Sequence, residues 1–174
     1  RDIAFSGDGE PTSAAGLGEI IDCVHRLRVR HGLAAVPLRL ITNGSLLGRA
    51  GVRDAITRFG EIGGEVWFKV DGGRSEDFAR VNGVRLQPQR VMRNLAECAR
   101  RCPTWVQTCF FRWDGEAPDQ AFVDAYLALL EGAGIGLLRG VLLYGVARPS
   151  MQPEASRISA LSGAELEAVA AQIR

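Results

Sequence analysis

Five short apolar runs alternate with longer amphipathic runs along this sequence of 174 residues, and this alternation constrains the fold more than any other feature. The apolar runs predict β-strands at residues 2–6, 38–42, 65–70, 105–112 and 137–144. The amphipathic runs predict helices at about residues 14–30, 49–59, 88–101, 118–132 and 163–173. Repetition of strand and helix requires parallel strands joined by right-handed crossovers. We therefore predict an α/β fold in which residues 1–174 form one domain.

The remaining stretches are predicted to be turns and loops. Residues 71–87, which precede Pro88, are expected to form a loop, and residues 147–159 are expected to be irregular. The carboxyl ends of parallel strands lie at one edge of a sheet, where α/β proteins bind ligands. The residues that directly follow each predicted strand are therefore the candidates for function.

Composition narrows the class of protein. Hydrophobic residues make up 47% and charged residues 24%, which are ordinary values for a folded domain. The net charge is +1, so bulk charge gives a nucleic-acid partner no support, although a local basic patch stays possible. No run of 18 apolar residues occurs, so we predict no membrane-spanning helix and no membrane partner. The four cysteines accompany no secretory signature, so we expect reduced thiols and a cytoplasmic protein.

The turn after the first predicted strand combines glycines with a carboxylate. Gly7 and Gly9 permit a close approach of the backbone to a bound group, and Glu10 is held between Gly9 and Pro11. A carboxylate at this position can accept hydrogen bonds from a ligand ammonium group. A tight turn that carries a solvated acid is the alternative, and the residues alone leave both hypotheses open.

The next two strand ends also carry polar residues. Asn43 and Ser45 suit hydrogen bonds to sugar hydroxyls, but considered alone they favour capping of the following helix. Lys69 and Asp71 are two residues apart, so they share one face of the third strand, opposite a face of Val66, Phe68 and Val70. We predict that Lys69 and Asp71 point inward as a pair or onto a ligand; a solvated pair past the strand end is the alternative.

The last two strands and the histidines give weaker signals. Gln107 is a polar residue in an otherwise apolar strand, and Tyr144 ends the fifth strand, so both are candidate ligand contacts. His25 and His31 lie on or beside the first helix, away from the strand ends. We therefore predict neither histidine acid–base chemistry at the site nor a histidine-rich metal centre.

Taken together, these strand ends resemble the radical S-adenosylmethionine (radical SAM) superfamily over nearly the whole chain. Asp8-Gly9-Glu10-Pro11-Thr12 resembles the Gly-Gly-Glu motif of the family, with Asp8 in place of its first glycine. Thr42-Asn43-Gly44 resembles the ribose-side motif, and residues 66–71 resemble the strand that follows it. The first turn is similar to that of wyosine-type tRNA-modifying enzymes and of related members with a Gly-Asn-Gly-Glu-Pro-Thr turn.

The resemblance implies a partial (β/α)₆ TIM-like barrel that binds S-adenosylmethionine and a [4Fe–4S] cluster. In the family, Cys-x₃-Cys-x₂-Cys after the first strand holds the cluster, and an electron from a donor such as flavodoxin or ferredoxin yields a 5′-deoxyadenosyl radical. This sequence departs from the motif, because Cys98 and Cys102 are followed by Trp105 and then Cys109. We interpret these cysteines as structural thiols and Cys23 as a residue of the helix core. No metal ligand is therefore assigned within the chain.

The family's site residues carry over by position. The resemblance implies that Gly9 and Glu10 contact the methionyl amino group and that Asn43 lies near the ribose, in a turn shaped by Thr42 and Gly44. Lys69 and Asp71 would face the cofactor or its carboxylate, and Gln107 and Tyr144 would neighbour the ribose or adenine. No catalytic residue is assigned, and the substrate is unknown; RNA is possible but has no support from net charge.

The chain starts at Arg1, and we expect it to be an internal piece whose cluster motif and first barrel strand precede it. On that expectation the piece is inactive alone and exposes a barrel edge. A catalytically silent α/β barrel that serves as a scaffold or binding domain is the alternative function. A phosphate-binding barrel enzyme ranks last, because the sequence has no convincing glycine-rich phosphate loop.

Overall fold

A computed structural model describes residues 1–7, 9–147 and 153–174. The strands are β1 (Ile3–Phe5), β2 (Leu38–Thr42), β3 (Gly64–Lys69), β4 (Thr104–Cys109), β5 (Phe111–Trp113), β6 (Gly140–Tyr144) and β7 (Ile158–Ala160). The helices are α1 (Leu17–Arg30), α2 (Ala50–Glu61), α3 (Ser75–Asn82), α4 (Pro88–Arg101), α5 (Gln120–Ala133) and α6 (Gly163–Ile173). Short 3₁₀ turns cover Pro11–Ser13, Ile135–Leu137 and Pro153–Arg157.

Five strands form one parallel sheet in the order β1-β2-β3-β4-β6. Each strand pairs with the next sheet strand along the chain, and helices connect them. This is the arrangement of a partial TIM-like barrel, and it confirms the predicted α/β fold class. That a first strand is missing stays a prediction.

The two faces of the sheet differ in burial. Val66, Phe68 and Val70 are fully buried and belong to the hydrophobic core that the helices cover, as their alternation predicts. The other face of β3 and β4 is only half-buried. Because successive side chains alternate between faces, Lys69 and Gln107 fall on this inner face, away from the helix-covered core.

Helix α3 lies where the sequence predicts a loop. It begins after Arg74, and the Asp77 carboxylate accepts from the backbone N–H groups of Gly73 and Arg74 at 3.3 and 2.9 Å. The helix ends at Gly83, whose φ of 69° is left-handed. The prediction was wrong because this helix gives weak signals in the sequence. It has only 8 residues, Phe78 is its one buried apolar residue, and no Ser, Thr, Asp or Asn stands at its N-cap.

The predicted strand over residues 105–112 is also divided. The parallel strand β4 stops at Cys109, and β5 turns away to pair antiparallel with β7, where the sequence predicted irregular structure over residues 147–159. Of that stretch, residues 148–152 lie outside the described residues, as does Asp8 of the first turn. The fifth sheet strand begins at Gly140 rather than at residue 137, because Ile135–Leu137 form a 3₁₀ turn.

The prediction that Cys23 belongs to the helix core was wrong. The buried residues of α1 are Leu17, Ile21 and Arg28, and Cys23 is exposed. At 100° per residue, Cys23 lies about 200° around the helix from Ile21, so it faces away from the buried stripe. Among the described residues, none of the helices has both the length and the apolar content that crossing a membrane requires.

Gly73 provides a test of the packing between the end of β3 and α5. A Cβ at this position would lie 2.1 Å from the backbone carbon of Ala125 and 2.4 Å from the nitrogen of Tyr126. We expect Gly73→Ala to lower the free energy of unfolding by about 3 kcal/mol, because helix backbone cannot yield as a side chain does. Gly136→Ala is the matched control, since nothing lies within 4 Å of its Cβ, and a change below about 0.5 kcal/mol is expected. Urea unfolding measures both, and equal values would contradict the packing described.

Candidate functional site

A cleft of about 900 Å³ opens at the carboxyl edge of the parallel sheet. Seven of the nine predicted site residues line it: Gly9, Glu10, Asn43, Lys69, Asp71, Gln107 and Tyr144. The other two, Thr42 and Gly44, are buried in the turn that carries Asn43. The strand ends therefore bring Glu10, Asn43 and Lys69 to one cavity, as the parallel order requires.

The Glu10 carboxylate joins the first two strand-end turns. Its Oε1 accepts from the backbone N–H and the hydroxyl of Thr12 at 3.1 and 2.6 Å, and also from the Thr42 hydroxyl. Its Oε2 accepts from the Asn43 N–H at 2.8 Å. The carboxylate thus caps the 3₁₀ turn and fixes the neighbouring turn to it. Contact of Glu10 with a ligand ammonium stays a prediction.

The turn after β2 is compact because Gly44 lies against the core. Its φ is 66°, and a Cβ would lie 2.1 Å from Cζ of Phe68. The Asn43 side chain accepts from the N–H of Ser45 at 2.9 Å. Helix α2 begins later, with Arg49 as its N-cap and no side-chain capping bond, so neither Asn43 nor Ser45 caps it. The capping alternative is thereby wrong.

Lys69 and Asp71 lie on one side of the third strand, as predicted. The Lys69 ammonium is 4.0 Å from the Asp71 carboxylate, and the side chains are 40% and 4% exposed. Asp71 also accepts from the Cys109 N–H at 3.2 Å and from the Asn82 amide at 3.3 Å. Burial of Asp71 excludes the solvated-pair alternative for that residue. Asp71 links β3 to β4 and α3, and Lys69 keeps its ammonium in the cleft.

Gln107 leaves a buried acceptor on the cleft wall. Its Oε1 has no hydrogen-bond partner among the described residues, although the atom is shielded from solvent. Gln107 stands beside Lys69 in the β3–β4 register. A buried amide oxygen without a donor is costly, and contact of Gln107 with a ligand stays a prediction.

Tyr144 is the last residue of β6, the strand that pairs with β4. It pairs in register with Cys109, and its side chain lines the cleft. Burial first, then the nearby Asp71 and Cys109, raise the pKa of the Tyr144 phenol. The phenol is therefore protonated at neutral pH and able to donate a hydrogen bond.

The opposite wall of the cleft consists of residues that the sequence does not indicate as site residues. Phe78 and Asn82 of α3, with Arg90 and Asn94 of α4, form it. Asn94 donates to the Gly44 carbonyl at 2.9 Å, and Arg90 donates to the Ser45 carbonyl at 3.2 Å. These contacts hold α4 against the second turn. The amphipathic period of α4 predicts its helix but does not indicate which turn its polar residues reach.

The cysteines do not gather into a metal centre. Within the described residues, no three His, Cys, Asp or Glu side chains lie close enough to hold a metal ion. Cys98 and Cys102 are buried, and desolvation raises the pKa of each thiol to about 12. Desolvation, with a smaller effect from Asp71, raises the pKa of Cys109 to about 11. Because the described thiols do not gather at one point, these residues do not fit a cluster.

Comparisons with known proteins give one kind of match. No family model matches the sequence, and no curated protein matches it. The crystal structure of a domain of pyruvate-formate lyase-activating enzyme from Bacteroides vulgatus ATCC 8482 is similar, with a TM-score of 0.58. The match covers 99% of this chain and 91% of that chain, at 14% sequence identity. The similarity supports the fold.

Glu10→Gln tests the joint between the first two turns. An amide has one acceptor oxygen, so its NH₂ group would oppose the N–H of either Thr12 or Asn43. We expect the free energy of unfolding in urea to fall by about 2 kcal/mol. Glu167→Gln, at an exposed position of α6, is the control, and its effect should stay below about 0.5 kcal/mol. A Glu10→Gln protein as stable as the control would show that the joint contributes nothing.

Alkylation by iodoacetamide at pH 8 tests the cysteine environments. Only the thiolate reacts, and the raised pKa values keep Cys98, Cys102 and Cys109 protonated at this pH. We expect exposed Cys23 to be modified first in the folded protein and the other three only after unfolding, as peptide mass spectrometry would show. Raising the pH toward 11 should increase labelling of Cys109 first. Rapid labelling of Cys98 in the native protein would contradict its buried placement.

Proposed function

We propose that this chain is the core of a radical SAM enzyme and that the cleft binds S-adenosylmethionine. The observation that carries the proposal is the convergence of polar groups from successive parallel strand ends on one cleft, beside the unpaired acceptor of Gln107. The fold shared with the domain of pyruvate-formate lyase-activating enzyme adds support, because it is the α/β fold that the resemblance to radical SAM enzymes implies. The motifs at residues 8–12, 42–44 and 66–71 supply the link from fold to ligand.

Each predicted residue takes a role under this proposal. The Gly9–Glu10 turn meets the methionyl amino group, and the Glu10 carboxylate keeps that turn in shape. Asn43 lies beside the ribose. The Lys69 ammonium binds the methionyl carboxylate, and Asp71 orients Lys69 as a positioning residue. The Gln107 oxygen accepts from a ribose or adenine donor, and the protonated Tyr144 donates at the same end of the cleft.

The cluster is the part of the proposal that these residues do not supply. In the family, a [4Fe–4S] cluster fed by a flavodoxin- or ferredoxin-type donor provides the electron for cleavage of the cofactor. Because the four cysteines of the chain do not fit as ligands, we propose that the ligands lie outside the described residues. The side chains described here bind and orient the cofactor and shield it from water. A relationship to wyosine-type enzymes rests on the first turn alone.

Lys69 permits a direct test, because it is the only lysine in the sequence. Acetylation with an amine-reactive ester modifies Lys69 and the amino terminus, and the amino terminus serves as the internal control. We expect S-adenosylmethionine to slow acetylation of Lys69 about tenfold at saturation without altering the amino terminus, measured by peptide mass spectrometry. Absence of protection would favour the silent scaffold instead.

Gln107→Leu separates ligand binding from structure. Removal of the unpaired oxygen should leave the urea midpoint unchanged or raise it, because a buried acceptor without a donor destabilises the protein. The same change should weaken the affinity for S-adenosylmethionine, measured through protection of Lys69, about tenfold, because the ligand loses one hydrogen bond. Gln89→Leu, on the exposed surface of α4, should change neither quantity. A less stable Gln107→Leu protein with normal protection would assign Gln107 a structural role.

A further inference from the structure

The near-zero net charge hides an uneven distribution of arginine. The chain has 20 acidic residues against 21 basic ones. Between Arg74 and Arg101, however, seven arginines stand against three acids, Glu76, Asp77 and Glu97. All three acids are already engaged, since Glu76 and Asp77 pair with Arg74 and Glu97 pairs with Arg101. The α3–α4 region is therefore locally basic.

A groove between α2 and α4 gathers part of this charge. It has a volume of about 450 Å³ and is lined by Arg53, Arg93 and Arg100, with Glu97 as its single acid. Glu97 accepts from two nitrogens of Arg101 at 2.9 and 2.6 Å, and this hydrogen bonding lowers the pKa of the carboxyl. Arg101, which does not line the groove, thus neutralises Glu97. The three guanidinium groups that line the groove therefore give it an excess of positive charge.

The guanidinium groups of the groove have capacity to bind an anion. Arg93 is exposed and makes no hydrogen bond or ion pair to any described residue. Arg100 reaches Glu97 only at 3.9 Å, and Arg53 uses Nη1 for the carbonyls of Leu47 and Gly48. Each retains free N–H donors, and a guanidinium fork matches the oxygens of a phosphate group.

The groove adjoins the cleft at Asn94. Asn94 lines both, and Arg90 lines the cleft one turn earlier on α4. We name Arg90, Arg93, Arg53 and Arg100 the arginine track. Along α4 the track extends about 15 Å from Arg90 to Arg100, at 1.5 Å per residue. Charges repeated along a line that leads into a cavity suit a polymer with one charge per unit.

We propose that the arginine track binds the phosphodiester backbone of a single-stranded nucleic acid, one nucleotide of which enters the cleft. This inference rests on the proposed function, because it names the substrate class of the same site. A base that undergoes chemistry must leave its stack, which a single strand allows at low cost.

Fluorescence anisotropy with an end-labelled oligouridylate tests the inference across a range of NaCl concentrations. We expect binding to weaken linearly on a log–log plot as salt rises. The double variant Arg93→Gln/Arg100→Gln should bind about tenfold more weakly at low salt. The slope of the log–log plot should fall by about 1.4, because each of the two lost phosphate contacts contributes about 0.7. Arg26→Gln/Arg30→Gln on α1 is the control; it removes two exposed charges with no described ion pair and should change affinity less than about twofold.

Three outcomes would overturn the inference. The first is an equal loss of oligonucleotide affinity in both double variants, and the second is no oligonucleotide binding by the unaltered chain. The third is competition by polyglutamate at the same charge concentration, which would indicate an acidic protein partner. Urea midpoints of both variants must equal that of the unaltered chain. Acetylation of Lys69 keeps the two proposals apart. If S-adenosylmethionine protects Lys69 but the oligonucleotide does not bind, the nucleic-acid substrate alone is refuted.

Discussion

The candidate site depends on one carboxylate that accepts hydrogen bonds from two turns at once. Glu10 belongs to the first strand-end turn, yet it also accepts from Thr42 and Asn43 of the second. Loops after parallel strands have no ladder to fix them to one another, so a side chain must do so. With both turns joined, the cleft acquires a defined wall, and Lys69 faces it from the next strand. A residue that the sequence suggested as a ligand contact therefore also acts as a structural joint.

The two faces of the sheet have different roles, one in packing and the other in carrying polar side chains. Val66, Phe68 and Val70 are packed under helices, while Lys69 and Gln107 stand on the half-buried inner face. Apolar burial on one face thus stabilises the strands, and the other face is free to carry charge and an unsatisfied amide. Each added strand places one more polar residue at the same edge. A site of this kind requires only that the strands run in the same direction, so that they end at the same edge of the sheet.

The sequence was sufficient for the parallel sheet and for most of the cleft floor, because strand ends are marked by short motifs and period-two alternation. It was insufficient where local signals are weak. The sequence predicts a loop where α3 lies, since the cap of this helix is formed by Asp77 from inside the helix. The wall that Phe78 and Asn82 form is therefore not predicted either. The exposure of Cys23 was missed because an apolar residue type does not specify which side of a helix it occupies. Both errors concern tertiary context, which a pattern along the chain does not contain.

The antiparallel ribbon of β5 and β7 has a consequence for folding order. The parallel strands pair with sequence neighbours, so the sheet can grow one unit at a time. The ribbon instead joins Trp113 to Ile158, and the chain between them includes α5 and β6. Closure of that long loop costs entropy before any pairing offsets it. We expect the ribbon, and the docking of α6 through Arg112 and Glu165, to form late, after the sheet is complete.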